Sequence, residues 1–200
     1  MDAVAILFIS FVVGAIPFSN IVARATRGID LRDVESGTVS GTSLFHAAGF
    51  GALVVAGVLD VAKGAFGPLL AGSDRPVLAA AAVAATVAGH DWSPFLRGAG
   101  GRGFAPSLGG LLATAWPGAV LLLASLATGL VIRQTGLTMF VAVVLLAPVL
   151  AMTNGPAGAL TGAAVAVPML TKRVMGNRPA PTPRGRVYLH RLVFDHDGAP

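Results

Sequence analysis

The sequence predicts an all-α polytopic membrane protein of about seven transmembrane helices, some of them short, with its functional loops on the cytoplasmic side. Three observations carry this. Hydrophobic residues make up 54% of the 200 and charged residues only 12%, and the mean hydropathy is +0.78, which excludes an ordinary soluble domain. Apolar runs recur at 3–23, 47–72, 76–89, 104–115, 117–132, 137–153 and 155–171, and a helix crosses the hydrocarbon core in about 20 residues, or fewer where neighbours shelter it. Basic residues then fall in alternate connections: Arg24, Arg27 and Arg32; Arg97 and Arg102; Arg133; and the stretch from Lys172 to Arg191. An odd number of spans puts these on one face, and the excess of positive charge makes that face cytoplasmic, with the N-terminus outside and the C-terminus inside. The net charge of +5 therefore reflects topology and anionic ligands or lipid head groups. Nucleic acid is excluded as a partner, because there is no soluble basic domain to present it.

The first run lacks a basic leader and carries Asp2, so it reads as a retained spanning helix rather than a signal peptide. It is expected to end near Ala25, with Pro17 interrupting its hydrogen-bond ladder and Ser19 and Asn20 on the next turn able to re-satisfy the freed groups. The stretch 28–43 becomes small and hydroxyl-bearing in its second half, through Ser36, Gly37, Thr38, Ser40, Thr42 and Ser43. Leading into a helix near Leu44, it suits either phosphate binding at a helix N-terminus or a plain linker. The next helix carries Asp60 and Lys63 in apolar surroundings. Their i, i+3 spacing lets them pair, and ionisable groups inside a membrane are costly enough to favour a functional role over a purely structural one.

The connection from Gly89 to Gly103 holds His90, Asp91, Arg97, Arg102 and five glycines. Glycines at this density let backbone N–H groups approach an anion, and the arginines add fixed charge, so the stretch reads as a phosphate or oxyanion cradle or as a flexible loop. His90 is a helix cap or a helper in proton transfer. The later helices contain little beyond Ser107, Thr114, Ser125, Thr128 and Thr138 and read as scaffold, with turns at Trp116-Pro117 and Asn154-Gly155-Pro156. The proline-rich stretch 177–184 cannot continue a helix. It divides a membrane domain, 1–175, from a basic tail, 176–200, whose Asp195, Asp197, His190 and His196 are expected to be solvated. With no cysteine and no His, Asp or Glu at ligand spacing, neither a metal nor a disulfide is expected, and no cofactor is implied.

The order of these features resembles the bacterial PlsY-type acyl-phosphate:glycerol-3-phosphate acyltransferases. Gly14-Ala15-Ile16-Pro17-Phe18 is similar to that family's G-S-I-P-F, and Asp30-Leu31-Arg32-Asp33-Val34 with Ser36-Gly37 to its D-x-R-x-x-G-S-G-N-x-G-A-T-N loop. Asp60-Val61-Ala62-Lys63-Gly64 matches D-x-x-K-G. Gly89-His90, Pro94-Phe95-Leu96 and Gly100-Gly101-Arg102-Gly103 resemble G-H-x-x-P-x-F-x-x-x-K-G-G-K-G. Departures are equally specific. Thr38 and Ser43 stand where the family has asparagines, Ser40 and His46 replace a glycine and an arginine, and Ala99 and Arg102 replace the two lysines. Lys172 falls near a family histidine, and the Asn-Arg pair is kept as Asn177-Arg178.

The resemblance implies a bacterial inner-membrane enzyme that moves an acyl group from acyl-phosphate to the 1-hydroxyl of glycerol 3-phosphate, giving lysophosphatidic acid. Acyl-phosphate is already activated, and no Ser–His–Asp arrangement is visible, so positioning and charge compensation are what the protein must supply. The expected catalytic residues are His90, Arg102, Lys63 and Ser36. The expected phosphate contacts are Ser36, Gly37, Thr38, Thr42, Lys63, Gly100, Gly101, Arg102, Gly103, Lys172 and Asn177, with Asp60 the charge partner of Lys63. The expected partners are the two phosphate substrates and membrane lipids, with a monomer allowed. A transporter of a phosphorylated or lipid-like solute and an inactive relative are the alternatives. A transporter should show internal repeats and polar groups on both faces.

Overall fold

The computed structural model describes residues 1–34, 37–180 and 184–197, and among them the chain is helical with no strand. The first apolar run is cut in two, into α1 (Ala3–Ala15) and α2 (Phe18–Arg27). Asp2 caps the start, accepting the Ala5 N–H at 2.7 Å. Pro17 supplies no N–H and ends α1, as its covalent structure requires. A 3₁₀ turn, Leu31–Asp33, leads to α3 (Gly41–Ala48), capped by Ser40, whose Oγ accepts the Ser43 N–H at 3.2 Å. Then follow α4 (Phe50–Ala71), α5 (Pro76–Asp91), α6 (Phe104–Thr114), α7 (Trp116–Ile132), α8 (Thr135–Met175) and α9 (Arg184–Phe194). Three stretches are long and apolar enough to cross a membrane, Ala3–Arg27, Phe50–Ala71 and Thr135–Met175; α6 and α7 are apolar but shorter.

α8 covers two predicted runs. At about 1.5 Å per residue its 41 residues would reach twice the thickness of a hydrocarbon core if straight. Gly155 breaks it at φ 66°, ψ −157°. Beyond that break the chain doubles back: a Cβ on Gly158 would lie 2.4 Å from Leu150 O, and one on Gly162 2.6 Å from the Ala147 Cα. The two limbs, 135–154 and 156–175, thus form a helical hairpin.

Small residues hold the helices together, as expected where lipid removes the hydrophobic drive between them. A Cβ on Gly64 would strike Pro106 O at 2.0 Å, and one on Gly109 would strike Val61 O at 1.9 Å, so α4 and α6 touch backbone to backbone. Gly14 on Thr86 and Gly89 on Phe11 do the same for α1 and α5. The main core fills the space between α5, α6, α7 and α8 with Val83, Val87, Leu111, Leu122, Leu146 and Met169. A second cluster, Ala23, Leu31, Val39, Leu44, Ala56 and Leu96, lies beneath the two polar connections and seats them side by side.

Candidate active site

The break at Pro17 frees two carbonyls, and both are used. Ser93 Oγ donates to Ala15 O at 2.6 Å and Lys63 Nζ to Ile16 O at 2.7 Å. Ser19 and Asn20 do not fill this role: Ser19 Oγ reaches Asp60 Oδ2 at 3.3 Å and Asn20 Oδ1 accepts the Leu31 N–H at 2.8 Å. Lys63 Nζ also meets Asp60 Oδ1 at 2.7 Å and His90 Nδ1 at 3.1 Å. The i, i+3 pair therefore exists, and α4 hands it to the end of α5. All three Lys63 donor directions are taken within the protein. An ammonium has three N–H groups, and the protein uses each.

The glycine-rich connection packs onto the end of α5. A Cβ on Gly100 would meet His90 O at 2.3 Å, one on Gly101 would meet His90 Nε2 at 2.2 Å, and one on Gly103 would press on Val87 and Met169. These glycines are needed because backbone and side chains occupy the space. Three amides of the connection are bonded within the protein. Gly98 N donates to Ser93 O at 2.9 Å, Gly100 N to Asn177 Oδ1 at 3.2 Å, and Gly101 N to His90 O at 3.2 Å. At the head of α6, next to Gly103, the amides of Phe104 and Ala105 have no acceptor within the helix, and Pro106 has no N–H.

Asn177 binds the two connections together. Its Nδ2 donates to Gly37 O at 3.2 Å and to Gly100 O at 2.9 Å, and Val39 N donates to the same Gly100 O at 3.0 Å. Both ends of the amide are thus engaged, so Asn177 clamps the two connections together. Gly37, at φ 71°, is itself closed by its N–H to Val34 O at 2.9 Å. Thr38 is buried, Thr42 is exposed in the first turn of α3, and Ser36 lies outside the described residues.

Beside this clamp opens a cleft of about 300 Å³, lined among others by Trp92, Arg97, Lys172 and Arg178. Among the described residues its charged lining consists of cations. Lys172 Nζ stands 5.4 Å from the centre of the Trp92 ring and 3.4 Å from Gly98 O. Of these residues the sequence reading had picked out Lys172 and the charge of Arg97. Trp92 and Arg178 were missed, although adjacency to His90 and Asn177 was the available signal. Asp91 was also missed. It is fully buried, and among the described residues neither carboxylate oxygen has a hydrogen-bond partner.

Arg102 is half-buried and has protein partners. Its Nε pairs with Asp195 Oδ1 at 2.7 Å, and its guanidinium also donates to Lys172 O at 3.3 Å. The tail is folded where it is described: α9 packs on α8, Val187 and Arg191 are buried, and Arg173 donates to Gly136 O and Leu192 O at 3.0 and 3.1 Å; of the four residues expected to be solvated, His196 and Asp197 are exposed and His190 and Asp195 half-buried. Outside the spans, Asp30 holds Arg32 and Arg24. The Arg32 guanidinium bonded to it, above all, keeps its carboxyl well below the ordinary carboxylate range.

A family model described as glycerol-3-phosphate acyltransferase matches residues 4–177. The chain belongs to the glycerol-3-phosphate acyltransferase family. It is 33% identical over 174 residues to a glycerol-3-phosphate acyltransferase of Synechococcus sp. (strain CC9902), covering 85% of this chain and 86% of that one. It is 41% identical to a glycerol-3-phosphate acyltransferase of Thermus thermophilus over 113 residues, 55% of this chain and 56% of the relative. The crystal structure of PlsY (YgiH), an integral membrane glycerol 3-phosphate acyltransferase, in its glycerol 3-phosphate form superposes with a TM-score of 0.77 at 25% identity, covering 86% of this chain and 88% of that one. The fold is that of an integral membrane acyltransferase, and α9 lies beyond the family match.

Proposed function

We propose that this acyltransferase moves a fatty acyl group from acyl-phosphate to the 1-hydroxyl of glycerol 3-phosphate, giving lysophosphatidic acid and inorganic phosphate. The observation that carries the reading is the cleft beside the clamp, whose charged residues among those described, Arg97, Lys172 and Arg178, are all cations. Such a lining suits a phosphate dianion, and Arg presents it a planar fork while Lys adds a point charge. The Arg102 guanidinium and the Phe104 and Ala105 amides at the head of α6 suit the second phosphate.

In the reaction the glycerol oxygen attacks the acyl carbonyl, an ester bond forms, the acyl–phosphate bond breaks, and the hydroxyl proton leaves with the phosphate. No covalent enzyme intermediate is required, since phosphate is a good leaving group. The protein holds two anions close together and offsets their charge, which is catalysis by positioning and electrostatics. His90 has its Nε2 against Gly101 and its Nδ1 against Lys63. Membrane lipid supplies the donor and takes the product, with the clefted face turned to the cytoplasm of a bacterial inner membrane. The test is turnover by purified protein in detergent with acyl-phosphate and labelled glycerol 3-phosphate. Lysophosphatidic acid and phosphate are expected in equal amounts, with acyl-CoA ignored. Phosphate release independent of glycerol 3-phosphate would assign a hydrolase instead, and no consumption of acyl-phosphate by folded protein would make this an inactive relative.

A further inference from the structure

We propose that the C-terminal helix is an autoinhibitory element, in which Asp195 stands in for a substrate phosphate on Arg102 and must be displaced before that arginine can serve the reaction. The inference rests on the reading of Arg102 as a phosphate contact. A carboxylate is the protein group nearest to phosphate in charge and in the geometry it offers a guanidinium, and here one is delivered to the arginine of the glycine-rich connection at 2.7 Å. It comes from a segment outside the residues that match the family, 4–177.

The way α9 is anchored makes the contact releasable. Arg191 donates to Met175 O at 2.9 Å and to Arg178 O at 3.1 Å, and it also pairs with Asp197. Arg173 reaches Leu192 O, and Gly136 lies so close under Phe194 that a Cβ there would meet Phe194 O at 2.1 Å. None of these bonds uses Asp195. That residue follows the last turn of α9 in the left-handed region, φ 61°, with its N–H on Arg191 O at 3.1 Å. Its side chain is 27% exposed against 17% for Arg102, so it can turn into water while the helix stays docked. A pair of that exposure opposes an incoming anion only modestly, as a brake and not as a lock.

The experiment compares wild type with Asp195→Asn, Asp195→Ala and, as a control for net charge alone, Asp197→Asn. Both Asp195 variants should lower KM for one phosphate substrate by about two- to fivefold, the range in which a part-exposed ion pair competes, with kcat nearly unchanged and Asp197→Asn like wild type. Activity that appears only in the Asp195 variants would support the proposal more strongly. An unchanged or raised KM in working Asp195 variants would overturn it, a rise meaning that Asp195 orients Arg102 for use. If no variant turns over, the acyltransferase reading fails and the tail is judged on inorganic phosphate binding: tighter binding in the Asp195 variants supports the brake, and equal binding or none overturns it.

Discussion

Lys63 Nζ and His90 Nδ1 stand 3.1 Å apart, and because an ammonium can only donate, the ring nitrogen facing it is the acceptor. The imidazole proton is then on Nε2, the atom that lies against Gly101. A helix broken at Pro17, an ion pair on α4 and a histidine at the end of α5 thereby determine one tautomer under the glycine connection.

Removing the ammonium should show how much rests on it. Lys63→Met leaves the Asp60 carboxylate buried with Ser19 as its remaining hydrogen-bond partner, a loss expected to cost about 3–5 kcal/mol. Thermal unfolding in detergent measures it. The double variant Asp60→Asn, Lys63→Met should recover a large part of the loss, and a double variant no more stable than the single one would contradict the pairing.

Arg102→Ala should reduce turnover by about one to two orders of magnitude, since a charge-assisted contact to a phosphate is worth roughly 1.5–3 kcal/mol. Arg102→Lys should recover part, keeping the charge but not the fork. Initial rates at saturating and limiting glycerol 3-phosphate separate binding from chemistry.

The helix contacts give a matched pair. Gly109→Ala forces a methyl into Val61 O at a position now 1.9 Å away and should destabilise by about 1–3 kcal/mol. Gly57→Ala, on the same α4 but with nothing within 4 Å of the added carbon, should be neutral or stabilising by up to about 1 kcal/mol. Melting temperatures that do not separate the two would refute the close approach of α4 and α6.

Asp30 sets an acid limit. Its folded pKa is depressed, chiefly by Arg32, so its contribution to stability is present above the unfolded value of about 4 and is lost as pH falls through the lower folded value. The gap in melting temperature between wild type and Asp30→Asn should be largest at neutral pH and shrink steadily below pH about 4. A gap that widens in acid would reverse the assigned sign.

For orientation, single cysteines in this cysteine-free chain report directly. Ser73 and Phe95 are exposed, so Ser73→Cys should react with an impermeant reagent from outside intact cells and Phe95→Cys only after lysis. The reverse pattern would turn the molecule over.

The apolar runs located the helices to within a few residues, because burial in lipid writes itself into composition. The Asp60–Lys63 pair was legible for the same reason, since two opposite charges one helical turn apart in an apolar run must answer each other. What escaped was the destination of donors. Nothing in the sequence says that Lys63 would be saturated by Ile16 O and His90, or that Asn177 would give its amide to Gly37 and Gly100, because those partners are brought close only by the tertiary fold. The tail misled for a related reason. His190 and Asp195 look solvated in sequence, yet α9 docks on the end of α8, where Arg191 donates to Met175 O.

The reversal at Gly155 has a consequence for how the molecule can be divided. There is open space around that residue, and the clamp and cleft draw Lys172, Asn177 and Arg178 from after it and Trp92, Arg97 and Gly100 from before it. A nick at this turn severs one helical hairpin at its tip and no contact of the site. Two co-expressed polypeptides ending and beginning there should find each other in the bilayer, and restored catalysis would then count reassembled pairs, making the hairpin a natural seam for a split reporter of membrane assembly.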